Sequence, residues 1–199
     1  MNKKIVVIGS CNTDMVVSTK RLPLPGETLI GGEFFMNSGG KGANQAVAAA
    51  RLGGDVCLIA KVGNDPLGSR SVDQYRAEGI NVDYIGVDHD NPSGVALIMV
   101  DEHGENSIAV ASGANMALSV TDVDRAKKVI AEADIVLMQL EIPMEVVEHA
   151  ARRAHGMGKR VILNPAPAHV LSDSLLRSLY VLIANETEAE FISGTQITD

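Results

Sequence analysis

A chain of 199 residues can build one substantial hydrophobic core but is short for two full domains. Hydrophobic residues at 46% and charged residues at 21% exclude a disordered polymer, and 19 glycines with 7 prolines are far from a fibrous repeat. Asp and Glu (25) outnumber Lys and Arg (17), and the resulting net charge of -8 argues against nucleic acid or an anionic membrane surface as a partner.

In chain order, residues 3–9 (KIVVIGS) read as a strand buried on both faces. Their apolar core is too short for a signal peptide or membrane span and runs into polar Ser10, Asn12 and Asp14, so a cytoplasmic location is expected. Next come MVVST and TLIGGEFFM, two short strands joined by a turn around LPLPGE. Residues 41–52 form an alanine-rich helix that stops at Gly53-Gly54, and a strand at 55–62 precedes a helix at 67–78 ending at Gly79. Residues 93–111 read as a hairpin, with GVALIMV and SIAVA flanking the turn DEHGEN. Beyond it lie a helix at 123–132, a strand at 134–140, a helix at 143–155 opening on Pro143, strands at 159–165 and 180–185, and a helix at 186–193.

Strand alternating with helix predicts an α/β fold, a parallel sheet with helices on both faces. The strand pairs within about 13–36 and 94–111 lack crossover helices and predict a small second sheet, a β lid projecting from the body. Such a lid cannot bury both faces alone, so it must close over the body, a ligand or a second copy of the chain, and we expect it to pair two subunits as a homodimer. Cys11 and Cys57 have no paired spacing and read as buried free thiols, and the five histidines are scattered without a metal-binding pattern.

In parallel sheets ligands gather beyond the C-terminal ends of the strands. Polar residues accumulate there: Asn12 and Asp14, Gln139 and Glu141, Asn164, then Asn185 and Glu188. Amides mixed with carboxylates suit a polyhydroxylated ligand, because hydroxyls both donate and accept. The strongest local motif is SGGKGANQAVAAA at 38–50. Gly39, Gly40 and Gly42 permit close backbone approach, and the helix they feed would offer free N–H groups to an oxygen-rich ligand. The alternative is a glycine entry that lets this helix pack tightly. Gly42 where a P-loop needs Ser or Thr excludes a mononucleotide P-loop.

Together GSCNTDMVV, PLPGET, SGGKGANQAVAAARLG, VGNDPLG, ASGAN, LMQLEIP, LNPAP and ANETEAE resemble the ribokinase-like (PfkB) carbohydrate kinase family, over residues 3–195. The resemblance implies a Rossmann-like three-layer fold in which residues 1–199 are the N-terminal two-thirds of a single domain. It implies transfer of the ATP γ-phosphate to the 5-hydroxyl of D-ribose. Substrate contacts are implied at Asn12, Asp14, Gly40, Lys41, Gly42, Ala43, Asn44 and Glu141. Asn185 and Glu188 match the N-x-x-E motif that organises Mg²⁺ and phosphate-bound water beside ATP, and K⁺ is expected in a full-length version. The family's general base and glycine-rich anion hole have no counterpart, since no G-A-G-D run occurs. The chain therefore looks C-terminally truncated and is expected to be inactive alone. Kinases of the same family acting on another sugar or a nucleoside, and a non-catalytic sugar-binding module, are the competing readings.

Overall fold

The computed structural model describes residues 2–197. Chain order is β1 (Lys4–Ile8), β2 (Asn12–Ser18), β3 (Glu33–Gly39), α1 (Lys41–Arg51), β4 (Asp55–Gly63), α2 (Pro66–Ala77), β5 (Ile85–Asp88), β6 (Gly94–Val100) and β7 (Asn106–Ala111). A 3-10 turn at Gly113–Ala117 follows, then α3 (Val120–Arg125), α4 (Lys127–Glu132), β8 (Ile135–Met138), α5 (Met144–Gly156), β9 (Arg160–Leu163), α6 (Asp173–Ser178), β10 (Val181–Leu182) and α7 (Glu186–Ser193).

Six strands form an all-parallel sheet in the order β10-β9-β8-β1-β4-β5. The period-2 alternation of strand side chains divides the core between its two faces. Val6 and Ile8 join Val136, Met138, Val146, Val147 and Ala150 on one side, while Val7 joins Val56, Leu58, Ala43, Ala46 and Tyr75 on the other. Alanine at the buried positions 43 and 46 lets α1 lie close to the sheet. The architecture is thus the three-layer α/β body read from the sequence.

A mixed four-stranded sheet, β3-β2-β6-β7, forms the lid, with β2 parallel to β6 and antiparallel to β3. The strand expected from Thr28 begins only at Glu33, because Gly31 and Gly32 take φ of +106° and +111°, which a β ladder cannot continue. The helix expected over 123–132 is two helices that start earlier, since Ser119 and Asp122 form a capping box that nucleates the turn at Val120. Helix α6 and strand β5 are additions the pattern did not reveal, both being short and half-polar. Cys11 and Cys57 are buried free thiols, and among the described residues no helix is long and apolar enough to cross a membrane.

Candidate functional site

From β1 the body sheet grows to one side through β4 and β5, and to the other through β8, β9 and β10. The loops leaving β1 and β8 therefore diverge and open a crevice, the usual ligand position in such sheets. Ser10 follows β1 and Glu141 follows β8, and Ser10 Oγ donates to Glu141 Oε2 at 2.5 Å across that crevice. The same carboxylate oxygen accepts the backbone N–H of Lys41 at 2.9 Å, while the Lys41 ammonium stands 3.9 Å from Oε1. Strand end, helix start and loop thus converge on one carboxylate.

Helix α1 has Gly40 as its N-cap, with φ of +87° and no side chain to satisfy the first-turn donors. A Cβ on Gly42 would lie 2.5 Å from Ser10 N, and one on Gly40 2.8 Å from Asn12 N. Glycine is required because the first turn of α1 rests directly on the β1–β2 backbone. That seating engages the donors: Lys41 N–H meets Glu141, Gly42 N–H meets Ser10 Oγ at 3.3 Å, and Ala43 N–H meets Ser10 O at 2.9 Å. The expectation of free first-turn N–H groups is corrected here, because the close approach that needs glycine also supplies the protein acceptors.

Asn12 and Asp14 lie two residues apart on β2 and so share one face of the lid sheet. The Asp14 carboxylate occupies the space a Cβ on Gly39 would fill. Burial pushes its carboxyl above the ordinary range, and the negative charge of Glu141 pushes the same way. Asp14, Glu141 and Lys41 thus share one electrostatic neighbourhood, in which two carboxylates can accept from hydroxyls and the ammonium can donate. Asn12 is buried, and its Oδ1 accepts from Asn115 Nδ2 at 2.7 Å. Asn44 is exposed and lines a cavity of about 820 Å³ between α1 and α2, with Asn37, Ser38 and Gln74. No side-chain hydrogen bond joins Asn44 to the Ser10–Glu141 group among the described residues.

Asn185 and Glu188 open α7 as a reciprocal capping box: Asn185 Oδ1 accepts Glu188 N–H at 2.8 Å, and Glu188 Oε2 accepts Asn185 N–H at 3.1 Å. Asn164, beyond β9, donates from Nδ2 to Ile183 O at 3.0 Å and lies 3.5 Å from Glu188 Oε2. Gln139 is buried and donates to Gln45 Oε1 at 2.6 Å, so it ties β8 to α1. Among the described residues no group of three acidic, His or Cys side chains is placed to cage a metal ion.

Two residues central to this geometry were not among the expected ligands. Ser10 could have been found from its position directly after a buried strand and Gly9. Asn115 lies in the ASGAN stretch of the resemblance, but no local pattern gave it a role, because its partners Cys11 and Asn12 stand about a hundred residues away in sequence.

A sequence profile of the pfkB family carbohydrate kinases matches residues 2–199. The chain is 45% identical to the ribokinase of Haemophilus influenzae over its whole length, covering 65% of that protein. It is 39% identical to a deoxyribokinase of Salmonella typhimurium, over 97% of this chain and 63% of that one. The structure of Arabidopsis thaliana ribokinase complexed with ribose and ATP superposes with a TM-score of 0.88 at 32% identity, over all of this chain and 65% of that one. The chain thus spans about two thirds of the length of these relatives.

Proposed function

The chain belongs to the pfkB family of carbohydrate kinases, and from that premise we propose that it supplies the sugar-binding half and part of the nucleotide half of an ATP-dependent kinase acting on the 5-hydroxyl of D-ribose. The observation that carries this reading is the Ser10–Glu141–Lys41 junction at the crevice between β1 and β8, with the destabilised Asp14 carboxylate facing the same charge. Resemblance to a ribose- and ATP-bound relative supports the choice of ligands.

In this reading Asp14 and Glu141 accept from sugar hydroxyls, and Lys41 donates. Gly40, Gly42 and Ala43 form the tight wall against which the sugar rests, so their part is shape rather than hydrogen bonding. Asn12 presents its amide from the lid, and Asn44 contributes from the exposed side of α1. Asn185 and Glu188 stand at the nucleotide end. With Asn185 Oδ1 and Glu188 Oε2 engaged in the cap, Glu188 Oε1 remains, which fits a water of hydrated Mg²⁺ better than a direct cage. When bound, Mg²⁺ neutralises charge on the ATP phosphates. Glu188 would orient that hydration shell, while the residues of the crevice hold the sugar. No residue of this chain is assigned as general base, and K⁺ is assigned no ligand in it.

A second reading, a kinase for a deoxysugar, is favoured by the deoxyribokinase relative. Calorimetric titration of the 199-residue chain with D-ribose, 2-deoxy-D-ribose and adenosine separates the alternatives. Saturable ribose binding that Asp14→Ala abolishes is the expected result. Tighter binding of the deoxysugar would move the assignment to the second reading, and no binding of any of the three would remove both.

A further inference from the structure

The chain crosses between body and lid four times, from β3 into α1 and from β5 into β6 among them; the other two crossings are where β1 passes into β2 at Cys11 and Asn12 and where β7 returns through Ser112. One side chain touches both of the latter. Asn115, in the 3-10 turn after β7, is 1% exposed and accepts Cys11 N–H at 2.8 Å through Oδ1. Its Nδ2 group donates toward Cys11 O at 3.1 Å, Ser112 O at 2.9 Å and Asn12 Oδ1 at 2.7 Å.

These partners fix the amide orientation without ambiguity. A backbone N–H can face only Oδ1, and two backbone carbonyls can face only Nδ2. Asn12 must therefore turn its oxygen toward Asn115, which leaves Asn12 Nδ2 pointing away. No protein group among the described residues accepts from that Nδ2, and it is not sealed from solvent. The third lid element concurs: a Cβ on Gly94, the first residue of β6, would collide with both Asn12 Oδ1 and Asn115 Nδ2, so β6 carries glycine where it crosses the pair.

We propose that Asn115 is a positioning residue that pins the lid to the body and fixes Asn12 with its amide N–H₂ outward, as a donor to a ligand oxygen. The ligand half of this statement rests on the sugar-site reading above; the pin does not. Asn115→Asp is nearly isosteric and keeps the acceptor for Cys11 N–H. Its second oxygen, however, meets three acceptors, so the Asn12 amide must flip and donate inward, turning its oxygen out.

The test uses the whole 199-residue chain. Hydrogen exchange read by mass spectrometry should show N115D exchanging about tenfold faster or more over residues 12–18 and 94–111, with 144–156 in α5 unchanged as the control for the body. In Asn12→Asp the acceptor for Asn115 is kept, so exchange in the lid should stay close to the parent protein. In side-chain amide ¹H–¹⁵N spectra the Asn115 N–H₂ should exchange slowly and the Asn12 N–H₂ fast, and N115D should slow the Asn12 signal. Calorimetry should show ribose affinity falling about fivefold or more in both variants, the order expected for one lost hydrogen bond.

Unchanged lid exchange in N115D, loss of protection in α5 together with the lid, or a slow Asn12 N–H₂ in the parent protein would each overturn the pin. If the parent chain binds no ribose while the exchange pattern holds, the sugar reading falls and the pin stands. Ribose binding without the exchange pattern gives the reverse.

Discussion

Asp14 carries a cost in its native position, where burial and the charge of Glu141 disfavour its ionised form. A carboxylate whose native pKa is raised is penalised in its ionised form, so protonation favours the folded state. The penalty is complete above the native pKa and vanishes below the unfolded value of about 4. Asp14→Asn should therefore raise the melting temperature at pH 7, lose that gain at about pH 3.5, and weaken ribose binding. Melts at the two pH values with one titration check this, and a variant that is neither stabilised nor impaired would remove Asp14 from the site. In a version extended to the relatives' length, Asp14→Ala should lower kcat/KM by about 30- to 1000-fold, the loss expected for a charge-assisted pair. Asp65 shows the opposite sign. Burial would raise its carboxyl, but the N–H groups of Ser93 and Gly68 and the Ser93 hydroxyl outweigh it and hold the carboxyl below its ordinary range. Its contribution is present above the unfolded pKa and is lost as pH falls through the lower native one. As the N-cap of α2 it should cost about 1 to 2 kcal/mol when replaced by Ala, read by urea unfolding at pH 7.

At the scale of elements, α1 and the lid decide whether the crevice exists. Gly42→Ala would place a methyl 2.5 Å from Ser10 N, against backbone that cannot rotate away, and should destabilise the chain by about 2 to 3 kcal/mol in urea unfolding. A loss under about 0.5 kcal/mol would mean that the β1–α1 contact is looser than described. The lid exposes Phe34 and Leu97 at 61% and 56%, and the register puts both on one face through Val17↔Phe34 and Met15↔Leu97. Alternation puts Asp14 on the opposite face. Leu97→Glu should leave the fold intact and shift the protein to monomer in sedimentation, if the lid pairs two copies as expected from the sequence; a parent protein already monomeric at high concentration contradicts that expectation. Five of the six body strands were legible because each lies in a continuous apolar run, whereas β5, short and half-polar, was not. The lid was legible from paired runs without crossover helices, although Gly31 and Gly32 delayed β3. The carboxylates and amides could be read as a rim, since rim position follows strand ends. Who bonds whom could not: the Ser10–Glu141 and Asn115–Cys11 bonds span 131 and 104 residues, and no local pattern encodes such pairings.

Across the whole molecule, the sheet ends on β10, with Tyr180, Ile183 and Phe191 at 63%, 55% and 53% exposure beside it. Relatives about half as long again have chain available to cover that edge. Phosphoryl transfer needs hydroxyl, γ-phosphate, metal and charge-stabilising donors held together, and each contributes only while the others keep the geometry. In the proposed reading the crevice holds the hydroxyl side, yet the first-turn donors of α1 are already bonded within the protein and cannot form an anion hole. The most direct test is ribose-dependent ADP release in Mg²⁺ and K⁺, measured side by side for residues 1–199 and for a protein extended to the relatives' length. The account predicts turnover on ribose in the extended protein and no more than background from residues 1–199. Absence of ribose-dependent turnover in the extended protein, or turnover by residues 1–199 within about tenfold of it, would contradict the account.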